Sequence, residues 1–100
     1  MIGDPGAIRA LARPLRRRAD EIRGLAEHLA RQADAAAWEG VAAEAMRAAV
    51  RHSAGGLRRT ATLHDDAAEA LEKHAHRIGI VQDTIEDAVH AISHALKALV

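Results

Sequence analysis

The stretch AAAWEGV, residues 35 to 41, decides the fold. Trp38 within it is the only aromatic residue of a chain that has no Phe and no Tyr. Gly40 stands two positions later, between two alanine-rich segments patterned as helices. Glycine takes positive φ where a helix must end and the chain reverse, and a short connection between long amphipathic helices makes them antiparallel neighbours. AAAWEGV therefore reads as the bend of a helical hairpin.

Upstream of the bend, Asp4 and Pro5 read as the N-cap and first position of helix one. The carboxylate can accept an orphan amide bond, and proline lacks only a donor that had no partner. A heptad row follows through Ile8, Leu15, Ile22, Leu29 and Ala36, with a companion row of Ala12, Ala19, Ala26 and Ala33. The first row supplies a narrow apolar seam, and the alanines let a second helix come close. Pro14 crowds the carbonyl of Ala10 and removes a donor, so a kink or local break is expected there. Helix one is expected over about 5–37, the turn over 38–40 and helix two over about 41–100.

Downstream, the heptad row is Ala43, Val50, Leu57, His64, Leu71, Ile78, Ile85, Ile92 and Leu99, and Met46, Ala67, Val81, Ala88 and Ala95 lie three positions further on. Gly55-Gly56 and Gly79 weaken this helix by roughly 1 kcal/mol per glycine, and a break is expected at one or the other if anywhere. A turn centred on residue 39 would place Arg9 and Arg13 opposite Asp65, Asp66 and Glu69. The resulting all-α hairpin would cover helix two only to about residue 74. Ile78, Val81, Ile85, Val89, Ile92, Leu96 and Leu99 would then form an apolar stripe with nothing intramolecular to face. Seven aliphatic side chains, each worth roughly 1.5 to 3 kcal/mol when fully buried, call for a cover. A partner chain, a fold-back at Gly79 or a following domain would each supply it.

Composition removes other readings. Without cysteine there is neither a disulfide nor thiolate ligation of zinc or iron-sulfur clusters. Lys plus Arg and Asp plus Glu are 14 each, so no global field favours DNA or an anionic membrane. Arg13, Arg16, Arg17 and Arg18 spread around the helix, with acids one turn on and no aromatics for base stacking, and so read as a solvated face. Apolar residues are dispersed among charges, which leaves no run for a membrane span, and the N-terminus has no apolar core of a cleavable signal. Asp87, His90 and His94 share one helical face, yet further zinc ligands would have to come from another chain, so no metal site is expected. His64 and His74 fall on or near the apolar rows and are expected to be buried with a partner or tucked at an interface edge. With two Ser, no glycine-rich phosphate loop and no evident carboxylate pair, no enzyme and no cofactor are expected.

A chain of about a hundred residues, two amphipathic helices and Trp38-Glu39-Gly40 at the bend resembles the WXG family, the early-secreted-antigen-like hairpins exported by type VII (ESX) secretion systems. The resemblance spans the whole architecture, though its motif is three residues long. It implies pairing with a like hairpin into a four-helix bundle, as homodimer or heterodimer, and export without a cleaved signal from the cytoplasm to the envelope or medium. It also implies that Trp38, Glu39 and Gly40 form half of a composite export signal. The other half in this family, Tyr-x-x-x-Asp/Glu after helix two, is missing because the chain has no Tyr. A partner could supply it, or sequence beyond Val100, or this member is not itself a recognised substrate. Some members head larger secreted toxins or effectors, and a stripe still in mid-pattern at Val100 fits such a module. The alternative is a helical-bundle adaptor that is not exported and for which Trp-Glu-Gly is only a turn.

Overall fold

The computed structural model describes residues 3–99, and every described residue outside the caps and the connection is helical: α1 (Pro5–Ala35) and α2 (Val41–Leu99) form one antiparallel hairpin. Met1, Ile2 and Val100, and with Val100 the expected end of helix two, lie outside the described residues. Asp4 caps α1: its Oδ1 accepts from the Gly6 amide at 2.9 Å, and its carbonyl accepts from Ile8 at 3.1 Å. The helix continues through Pro14 without interruption. Ala10 and Pro14 are both exposed, so water reaches the carbonyl that proline leaves without an amide. α2 likewise runs unbroken through Gly55, Gly56 and Gly79. Its 59 residues account for about 88 Å at 1.5 Å per residue, close to the 90 Å length of the molecule, so α2 is nearly straight.

Alanine makes the core. The fully buried residues are Ala12, Ala19, Ala26 and Ala33 on α1 and Ala43, Ala54, Ala61, Ala68 and Ala75 on α2. A methyl group at each contact lets the backbones approach closely, and any larger side chain there would hold them apart. This corrects the sequence reading of α2, which paired the Val50–Leu57–Leu71 row with Met46 and Ala67. Ala67 is exposed, and the row that meets α1 lies three positions before the leucines instead. Large aliphatics mark a period more strongly than alanine does, but only the alanine row fits at the closest approach. Ile8, Leu15, Ile22, Val50, Leu57, Leu71 and Ile78 flank the seam and remain half-buried.

The register also differs from a tight reversal at residue 39. Arg9 and Arg13 do not meet the acids of α2. Arg16 bridges Glu72 at 2.7 Å and Asp65 at 3.8 Å, and Arg23 reaches Asp65 at 2.6 Å. At the other end Arg51 approaches Asp34 at 3.8 Å. Each α1 residue thus faces α2 about two turns further on than the tight reversal predicts. The cause is the connection: α1 stops at Ala35, Ala36 is extended, and no helix resumes until Val41. The five connecting residues, Ala36 to Gly40, can climb at most about 16 Å past the end of α1, and α2 needs about 11 residues to descend that distance.

Because of that shift, α1 covers α2 as far as Gln82, whose Nε2 donates to the Gly3 carbonyl at 3.1 Å. Coverage therefore ends eight residues beyond the expected limit near residue 74. From Asp83 to Leu99 every residue is exposed, so this last part of α2 projects as a single helical arm.

Candidate functional site

The tip is built from the end of α1, the connection and the first turns of α2. Gly40 has φ +101, a conformation that disfavours any residue with a Cβ, and its carbonyl accepts the Glu44 amide at 3.1 Å to begin α2. Trp38 is 62% exposed, so most of its surface is open to solvent. Glu39 is exposed beside it. The three residues singled out in the sequence are thus adjacent and accessible at one end of a 90 Å molecule.

Their main chain is held by Arg47, a residue the sequence reading passed over. Arg47 Nε donates to the Ala33 carbonyl at 3.1 Å, and Nη2 donates to the carbonyls of Ala36 at 2.9 Å and Trp38 at 2.7 Å. Nη1 completes the set on Glu44 Oε1 at 3.1 Å. A signal for it was present. Arg47 stands one heptad before Ala54, in phase with the alanine row, so a seam position carries a guanidinium where the next four carry a methyl.

The second surface is the arm. Ile78, first of the expected stripe, is half-buried, with its Cδ1 3.6 Å from where a Gly3 Cβ would stand, so it belongs partly to the hairpin's own packing. Val81, Ile85, Val89, Ile92, Leu96 and Leu99 are exposed, from 46% at Ile85 to 84% at Leu99. They continue onto the face that α1 covers further back: Val89 and Leu96 are in phase with Ala54, Ala61, Ala68, Ala75 and Gln82. Leu11 and Leu25 on α1 and Leu63 on α2 are exposed as well, so the hairpin leaves its larger aliphatics without full cover.

Charged and titratable groups add less. The hydrogen bond from Arg16 holds the Glu72 carboxyl below its usual range, and the same bond raises the Arg16 guanidinium. His64 is half-buried rather than buried, its Nδ1–H donating to the Thr60 carbonyl at 2.9 Å. His74 is exposed in the hairpin, so of its two expected settings burial within the hairpin is not found. Among the described residues no three His, Asp or Glu side chains converge in a way that could hold a metal ion, and no helix is long and apolar enough to cross a membrane. One shallow open groove, of about 310 Å³, is lined by Glu69, Glu72, Lys73, His76 and Arg77.

Compared with known protein families, residues 2–99 match the WXG100 like domain. No curated protein and no solved structure matches the chain.

Proposed function

The chain belongs to the WXG100-like family, whose members are helical, non-enzymatic proteins secreted by type VII systems, and from that premise we propose that it is a substrate or export partner of such a system. Residues 1–100 act as one hairpin module for targeting and pairing. Trp38, Glu39 and Gly40 present half of a composite export signal, and the missing Tyr-containing half comes from a partner or from sequence following this module. The observation that carries the reading is the tip itself: a lone Trp, 62% exposed, beside a glycine at φ +101. A Trp kept only for packing would be expected inside the seam, because an exposed indole forfeits most of its burial energy.

Pairing with a second hairpin, of its own kind or another, rests on the hairpin's energetics. Its buried core is alanine alone, and no large side chain is fully buried among the described residues. Alanine contributes little burial energy apiece, whereas each aliphatic of the arm gains roughly 1.5 to 3 kcal/mol when covered. Val81, Ile85, Val89, Ile92, Leu96 and Leu99, extended by the half-buried Ile78, are the partner-facing stripe. The protein is then cytoplasmic before export and reaches the envelope or medium afterwards, with a toxin or effector domain following it if the module heads a larger chain.

Export and assembly are tested separately. In cells with an active type VII system, Trp38→Ala combined with Gly40→Ala is expected to abolish export while the protein still accumulates inside. Undiminished export of that variant would favour the adaptor that is not exported. Native mass spectrometry with a co-expressed neighbour-encoded hairpin is expected to give a dimer, and Ile85→Asp with Ile92→Asp to give monomers. A dimer surviving both aspartates would remove the arm from the interface.

A further inference from the structure

We infer that Arg47 is the positioning residue of the recognition tip: its guanidinium fastens the strand that carries Trp38 and so sets where the indole is presented. The inference rests on the tip being the recognition element, and its physical basis is the way α1 ends. A helix leaves its last carbonyls without intrahelical donors, and the usual remedies are a glycine just past the end or a basic residue in the last turn. α1 has neither: its cap is an extended Ala36, and no basic residue lies in its last turn. Among the described residues, main-chain help comes from the Ala36 amide, which donates to the Gln32 carbonyl at 3.1 Å.

Arg47 supplies the rest from across the hairpin. One planar group serves the carbonyls of Ala33, Ala36 and Trp38, spanning the last turn of α1 and most of the connection. The side chain is only 14% exposed, and Glu44 accepts from Nη1, so four of the five guanidinium N–H groups are engaged and the group has a fixed place. A lysine would bring the same charge to the negative end of α1, but a single ammonium cannot reproduce the fork that reaches three carbonyls. The shortest of these bonds, 2.7 Å, is to the Trp38 carbonyl itself. Trp38 thus has a tethered backbone beneath a largely exposed indole. The seam row shows the same device at its opposite limit, where Gln82 bonds the Gly3 carbonyl just ahead of α1.

Because Trp38 is the only aromatic residue, its emission reports the tip and nothing else. Time-resolved anisotropy and far-UV circular dichroism on the full chain, compared among the unaltered protein, Arg47→Ala and Arg47→Lys, test the assignment. Both variants are expected to add fast, wide-angle indole motion while helix content stays the same, since neither alters the buried alanines that pack the two helices together. Export, or capture by the co-expressed partner, is expected to fall roughly tenfold in Arg47→Ala, as for loss of a charge-assisted bond set. Unchanged indole motion in Arg47→Ala would overturn the inference. So would an Arg47→Lys protein indistinguishable from the unaltered one, which would reduce the residue to a charge at a helix end. Export that survives Trp38→Ala and Gly40→Ala would refute the recognition role of the tip instead, and the anisotropy of Arg47→Ala would still decide whether Arg47 holds Trp38.

Discussion

Gly40 and Trp38 stand two residues apart and contribute in opposite ways. At Gly40 a Cβ would meet nothing within 4 Å, so the constraint is the backbone alone, at φ +101. Gly40→Ala is expected to lower stability by about 1–2 kcal/mol in urea unfolding, the usual penalty for an L-residue in the left-handed region. Trp38→Ala is expected to change stability by less than about 0.5 kcal/mol, because an exposed side chain surrenders few contacts. A large loss at Trp38 would mean that the indole is a packing residue. Glu72 gives the hairpin a pH dependence of defined sign. Its folded value lies below the usual 4.5, so the stabilisation it adds is complete above that value and is lost as the pH falls through the lower folded one. Glu72→Gln is expected to flatten the acid side of a Tm-against-pH profile and leave the neutral side nearly parallel to that of the unaltered protein.

Among the elements, α2 best separates what periodicity shows from what packing selects. Every third or fourth position carries an apolar residue over most of its length, so several rows could have faced α1. Ala54, Ala61, Ala68 and Ala75 do so because the opposing row on α1 is also alanine. Ala61→Leu is therefore expected to destabilise the hairpin by about 1–3 kcal/mol through overpacking. Ala67→Leu, on the row favoured by sequence alone, is expected to be near neutral, and equal effects at the two sites would contradict the register described here. The helices themselves were legible because capping and propensity act within a few residues: Asp4 and Pro5 mark the start of α1. The local break expected at Pro14, or at Gly55-Gly56 or Gly79, does not occur, and both helices run through these residues. Arg47 was not legible as a clamp. The carbonyls it serves lie up to 14 residues back, on the other helix and the connection, and only the fold brings them within reach.

For the whole molecule, the decisive feature is unequal length. A helix of 31 residues cannot cover one of 59, and the remainder is the arm. Its hydrogen bonds are intact but its apolar face is in water, so it should open locally more often than the seam does. Hydrogen exchange is expected to be fast for amides of residues 83–99 in dilute protein and to slow several-fold once the pairing hairpin is present, while the amides around Ala54–Ala75 change little. Arm protection that does not depend on concentration or partner would show that the arm is stable alone and that pairing occurs elsewhere.

The sequence by itself determined the two helices, the glycine bend with its lone Trp, the alanine row of α1 and the surplus apolar stripe. All of these follow from local conformational preference and from the fixed period of the helix. Only the tertiary structure decided the register, the row of α2 that meets α1, the point at which coverage ends and the arginine that secures the tip. Those depend on the path of five connecting residues and on how closely two backbones can approach, and neither quantity is a property of any single segment of the chain.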